Sequence, residues 1–299
     1  MTGNHEQRYN LRYWGGFDWG KLEAQAYYEQ LNHQMDFGPD KTSMNMPMNT
    51  NSNTSGAKVK GDINIAQNSL LRTGAEWQRY FLNDWWPKSG NSGSMQPYAF
   101  QNINGGLQQI ASVFGEWEER ITPSIKSELG VRYSLVNSST GNVHGYNQNY
   151  APTSTVGGTA VASAGSTGYA MPGTGSVNEN ADAAYLNNAT RSATFNDVDV
   201  ALTNSYKYSD KQDMQLGLSR QVRAPNLYEL YTWSAWNMAA IMNNTVGDGN
   251  GYFGNPNLKP ETAYTASAVY DLHTEERDYL AKASPFYSYV DNYIDPVQW

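Results

Sequence analysis

The chain has 299 residues, 39% of them hydrophobic and 13% aromatic, a net charge of -8 and no cysteine. The charge is mixed in sign along the chain and forms no basic patch, which argues against a nucleic-acid partner, and the lack of cysteine removes disulfides, thiolate metal sites and thiol chemistry. No run of 18 apolar residues exists to make a transmembrane helix. Yet a mean hydropathy of -0.67 beside 22 Tyr and 9 Trp suits strands with one face in lipid and the other in water. The first residues, Met1 to Arg8, show neither a basic region nor an apolar stretch, so a signal peptide is not expected at this point.

Period-two alternation recurs along the chain, bounded each time by turn residues. It predicts about ten strands, each near the ~9–11 residues that cross a bilayer at a tilt. The spans are 8–15, 21–36, 57–67, 70–82, 106–121, 124–138, 192–208, 211–223, 261–271 and 278–294. In the sixth, Ile125, Leu129, Val131, Tyr133 and Leu135 share one face, while Lys126, Glu128 and Arg132 share the other. Val198, Val200 and Leu202 repeat the pattern, as do Met214, Leu216 and Leu218. The connections alternate short and long, with long ones at 37–56, 83–105, 139–191 and 224–260. Short turns on one side and long loops on the other are the arrangement of an outer-membrane barrel. The fold class expected is therefore all-β: an antiparallel transmembrane β-barrel. The Gly-, Ser- and Thr-rich stretch 139–191 reads as a mobile surface loop within one domain. Trp14 and Trp19, and Trp77, Trp85 and Trp86, sit at strand ends and suit interfacial girdles.

Two stretches carry a resemblance. Arg223-Ala-Pro-Asn-Leu-Tyr-Glu-Leu-Tyr231 and Gly254-Asn-Pro-Asn-Leu-Lys-Pro-Glu-Thr262 resemble paired motifs of the TonB-dependent receptors, in the same order and at a similar separation. The resemblance implies a barrel of about 22 strands, a plug domain that TonB pulls upon, and residence in the outer membrane of a Gram-negative bacterium. This sequence covers about ten of those strands and is expected to lack the plug, with 1–299 as one partial barrel domain. The motifs themselves read as structural: Pro and Asn shape the loop, and Arg and Glu pair in the lumen.

A possible cargo is written in methionine. His33 and Met35 lie two residues apart at the upper end of the second strand and so share a face. Met44, Met46 and Met48 follow in a polar loop with no apolar neighbours in sequence. Imidazole and thioether are soft donors that suit Cu(I) rather than Mg²⁺ or Ca²⁺. The stretch resembles the TonB-dependent copper receptors, which implies His33 and Met35 as barrel ligands completed by residues of the plug. Met95, Met238 and Met242 lie in other long loops and extend the expected capture surface. The competing reading of loop methionine is flexible apolar filler.

Other chemistry is sparse. Glu116 and Glu118 share a strand face and are expected to pair with Arg132 or Lys126, and Asp197 and Asp199 to be paired likewise. His5, His144 and His273 stand isolated in sequence, and Asp248-Gly-Asn-Gly251 lacks the spaced acids of a calcium loop. No enzyme activity and no tightly bound cofactor are expected. Copper is the expected cargo, with outer-membrane lipid and TonB, through the plug, as partners. The alternatives are a siderophore or cobalamin receptor using Trp85, Trp86, Tyr98, Trp233 and Trp236, a passive porin or structural barrel, and a secreted glycan-binding or glycan-cleaving β-protein.

Overall fold

Residues that alternate in polarity need a partner on each side for their backbone groups, and the simplest solution is a meander in which each strand pairs with the next. The computed structural model describes residues 3–35, 47–88, 98–146, 154–156, 159–161, 179–234, 253–274, 276 and 279–296. Six strands come first: β1 (Gly3–Phe17), β2 (Gly20–Met35), β3 (Met48–Ala66), β4 (Ser69–Trp86), β5 (Phe100–Thr122) and β6 (Ile125–Ser139). A short hairpin of β7 (Ser154–Val156) and β8 (Thr159–Val161) follows, then helix α1 (Glu179–Asn188). The meander resumes with β9 (Ser192–Ser209) and β10 (Gln212–Arg223). After helix α2 (Leu227–Tyr231) come β11 (Glu261–His273), β12 (Leu280–Ala283) and β13 (Phe286–Asp291). Among the described residues these strands make one 11-stranded antiparallel sheet in chain order, with β12 and β13 both paired to β11, and β7–β8 apart from it.

Each predicted strand is present, but several run further than their alternation. β3 starts at Met48 rather than at 57, β4 reaches Trp86, and β5 begins at Phe100. The reason is visible in β3: Asn49, Asn51, Asn53 and Ser55 occupy the face that lower down carries Val59, Ile63 and Ile65. Both faces of this upper stretch are polar, so there is no apolar period to detect, although the ladders to β2 and β4 continue. The last predicted strand is divided at Pro285, which has no N–H for a ladder, while its carbonyl still accepts from the Ala268 N–H at 3.0 Å.

Register sorts the side chains. Leu129, Val131 and Tyr133 of β6 lie beside Leu202, Val200 and Val198 of β9, and Leu218 of β10 lies beside Leu202. All of these large apolar side chains except the partly buried Leu202 are exposed, as are Tyr9, Leu11 and Tyr13 of β1. An exposed apolar band this wide is the surface of a sheet facing lipid. The opposite face is polar and ion-paired: Arg132 reaches Glu76 at 2.8 Å, and Arg72 binds both Glu116 and Glu118. The tight ends need little chain. After the Asp18–Trp19 turn, Gly20 has φ of 144°, and a Cβ there would fall 1.8 Å from the Asp62 carbonyl oxygen.

Buried apolar residues gather on the polar face at the end carrying the long connections. Met48, Leu82, Trp86, Phe100, Ile103, Val143, Tyr146, Leu227, Leu230, Tyr231 and Trp233 form one cluster, joined by Ala183 and Leu186 of α1. Phe100 stacks on Trp233 with centroids 4.8 Å apart and meets Trp86 edge-on at 5.2 Å. Parts of two expected surface loops are therefore packed structure. Within 139–191, Val143 and Tyr146 are buried and a helix forms, because Glu179-Asn-Ala-Asp-Ala-Ala-Tyr-Leu supplies helix formers that the average composition of the stretch conceals.

Candidate functional site

The upper end of β2 presents His33 and Met35 on the polar face, and register brings β3 alongside. Met35 stands opposite Met48, and His33 opposite Thr50. Three of the five predicted ligands are thus adjacent on one face: His33, Met35 and Met48. Met44 and Met46 lie outside the described residues, as do Met95, Met238, Met242 and the 248–251 stretch.

The setting of Met48 differs from the sequence expectation. It is a strand residue, 8% exposed, packed in the aromatic cluster, with Met35 against the same cluster. Its apolar neighbours come from Leu82, Trp86 and Phe100, all distant in sequence. The Met48 side chain is therefore held by packing in a strand, on the face that carries His33, rather than carried on a free loop. His33 is fixed by β1, where Asn4 lies directly opposite and its side-chain oxygen meets His33 Nδ1. When Nδ1 donates to that amide oxygen, Nε2 is the ring nitrogen left to face a ligand.

Behind this pair sits Asp84 of β4, opposite Thr50. It is fully buried and accepts from Asn102 Nδ2 at 2.7 Å, Thr50 Oγ1 at 3.2 Å and the Tyr228 hydroxyl at 3.3 Å. Burial pushes its carboxyl above the usual range, the hydrogen bonds and the nearby His33 pulling the other way. Tyr228 is raised in turn, chiefly by its own burial and then by the Asp84 charge. Sequence reading missed Asp84, because only the β3–β4 register places it here.

The two motifs meet across the β10–β11 connection. Arg223 donates from Nε to Glu261 at 2.6 Å and from Nη1 to both Glu229 oxygens at 3.0 and 2.9 Å. Asn226 and Glu229 form a capping box that starts α2. Gly254 N–H donates to the Thr232 carbonyl, and Asn255 N–H to that of Glu229, both at 2.8 Å. A Cβ at Gly254 would lie 2.6 Å from Tyr231 N, so glycine is required by the close approach. The expected Arg–Glu pairing is present, and it joins one motif to the other.

The pairing expected for Glu116 and Glu118 is present in part, between Lys126 and Glu118. Arg72 takes Glu116 and Glu118, while Lys126 reaches Glu118 only at 3.8 Å and Arg132 turns to Glu76. Asp199 accepts the Val222 N–H at 2.7 Å, and Asp197 is buried opposite Ser134. His273, isolated in sequence, is buried with Nε2 3.2 Å from Asp213. Among the described residues no three His, Cys, Asp or Glu converge as a metal site. Trp86 and Trp233, expected as ligand-contacting aromatics, are 0% and 3% exposed, and Trp233 Nε1 bonds the Gln101 and Asn102 carbonyls at 3.1 Å.

Residues 1–298 match the family model described as the β-barrel of TonB-dependent receptor-like proteins. The chain belongs to the TonB-dependent receptor β-barrel family. Its fold is shared with the copper transporter OprC at a TM-score of 0.62 and 16% identity, over 95% of this chain and 38% of that one. The hemophore receptor HasR of Serratia marcescens gives 0.61 and 15%, over 98% and 41%. The iron transporter FrpB of Neisseria meningitidis gives 0.57 and 12%, over 95% and 37%. The chain therefore spans about two fifths of the length of these receptors. No curated protein sequence matches it.

Proposed function

We propose that this chain forms part of the barrel wall of an outer-membrane receptor that takes up copper, driven by TonB through a plug domain. The observation that carries the reading is the in-register group of His33, Met35 and Met48 on the polar face, under the closed aromatic end. Its donors are all soft and neutral, the set that favours Cu(I) over hard cations. Met44 and Met46 of the adjoining segment are proposed as capture ligands. Copper is cargo in this reading, and no resident cofactor or catalysis is invoked. OprC, named as a copper transporter, supports the reading without deciding it, since the similar structures also include receptors named for a hemophore and for iron. An aromatic cradle for a siderophore has less support, because Trp86 and Trp233 are inside the cluster.

Copper(I) affinity of the complete receptor, measured by chelator competition, tests this. His33→Ala and Met48→Ser are each expected to weaken binding at least tenfold, roughly the value of one lost ligand. Unchanged affinity in both variants overturns the assignment.

A further inference from the structure

The copper reading leaves one group at this end of the sheet without a task. Asp84, Thr50 and His33 occupy facing positions on three successive strands, immediately below the Met35–Met48 pair. The Asp84 carboxyl has 0% exposure, and its three partners, Asn102, Thr50 and Tyr228, all direct an N–H or O–H at it. Three donors and no acceptor are the surroundings of an anion. Among the described residues no lysine or arginine forms an ion pair with it, while the nearby Glu29 and Glu6 of the same face share Arg8. A buried carboxylate with hydrogen bonds but no counter-ion is costly to keep, and the cost is understandable where a cation is meant to arrive.

We propose that Asp84 is the counter-charge for a soft monovalent cation held at His33, Met35 and Met48, and that it makes the site select a cation. The proposal rests on the site reading above. An imidazole and two thioethers give a Cu(I) or Ag(I) ion no compensating charge. The carboxylate supplies it from the next position in the row, without ligating the metal. Asp84, Trp86 and Phe100 are fully buried and Tyr228 packs against the cluster, which weakens the screening of the carboxylate's charge. Thr50 separates the two groups and keeps the carboxylate from binding a hard cation directly.

Ag(I), a redox-inert probe for this chemistry, is titrated against a chromophoric chelator with the purified full chain in detergent. Wild type, His33→Ala, Asp84→Asn and Asp84→Ala are compared. Asp84→Asn keeps the shape and can keep all three hydrogen bonds, with Thr50 turning to accept, and removes only the charge. It is expected to weaken Ag(I) binding about tenfold or more with no loss in thermal midpoint. Asp84→Ala is expected to weaken binding to the same extent and also to lower the midpoint. If Asp84→Asn binds like wild type and only Asp84→Ala loses affinity, the carboxyl is a structural acceptor and the proposal fails alone. If wild type shows no binding that His33→Ala removes, the site reading fails and takes this proposal with it.

Discussion

Arg223 is the side chain through which the two motifs hold each other, and its replacement by methionine has a calculable consequence. The guanidinium is 47% exposed, whereas the Glu229 and Glu261 side chains are 16% and 13% exposed. A charged hydrogen bond contributes roughly 1.5–3 kcal/mol when dry, and solvent reaching a half-exposed arginine reduces this several-fold. What remains is mostly the cost of leaving two shielded carboxylates facing each other without a cation, about 2 kcal/mol in all. That is roughly a 30-fold rise in local opening. Hydrogen exchange followed by mass spectrometry on the chain in detergent reads it directly. Peptides covering α2 and residues 253–257 are expected to exchange about 30 times faster in Arg223→Met, with β5 and β6 unchanged. Arg223→Lys is expected to recover only part of the protection, since an ammonium cannot present the planar fork that reaches both carboxylates. Adding Glu261→Gln to Arg223→Met removes one of the stranded charges and is expected to slow exchange again. Unchanged exchange in Arg223→Met, or no relief in the double variant, refutes the idea that the ion triad closes this connection.

Two further outcomes follow from the same region. Gly254→Ala places a methyl 2.6–2.8 Å from Tyr231 N, Leu230 C and Thr232 N, all backbone atoms that cannot rotate away. It is expected to destabilise by about 1–3 kcal/mol, read as a lower midpoint in heat-modified gel mobility, while Gly115→Ala, with nothing within 4 Å of its new Cβ, is expected to be neutral. Asp84 supplies a pH dependence: its carboxyl is raised above the ordinary 3.8 in the fold, so in the window between the two values, and only there, the native state holds a proton that the unfolded chain has released. Its contribution is complete below that ordinary value and declines as pH rises toward the folded one. The thermal midpoint of Asp84→Asn is therefore expected to gain on wild type as pH rises above the ordinary carboxyl value of 3.8, and a difference that stays constant as pH rises would contradict the raised carboxyl.

How much of this was legible in sequence depends on what each residue faces. The Ile125–Leu135 alternation was readable because one side meets lipid and the other water, which is the condition for a period-two signal. Met48–Gly56 is equally a strand, but its residues are polar or small on both faces and no apolar period forms, so Met48 read as loop. Helix α2 left two signs, the Asn226–Glu229 capping box and the apolar Leu227, Leu230 and Tyr231 at helical spacing; both lay inside a motif read for a loop-shaping Pro and Asn and for an Arg–Glu pair. The Asp84–Thr50–His33 row left none, because it exists only once register is set.

The apolar residues themselves divide into two populations, and this division decides where a binding site can be built. Those alternating along the strands, such as Leu129, Val131 and Leu218, point outward and are satisfied by lipid, so the sheet needs no core at that level and its inner face is free to be charged. Above the lipid band that solution is gone. There Leu82, Trp86, Phe100, Leu230 and Trp233 must cover one another, and they do so on the inner face, bringing the long connections in with them. The result is a dry, ordered patch at the mouth of an otherwise wet channel wall. Soft thioether donors and an unneutralised carboxylate can be kept together only in such a place, because water would both solvate the charge and compete for the cation. The position of Met48 at the margin of the cluster, one strand from His33, is the point at which packing and chemistry meet.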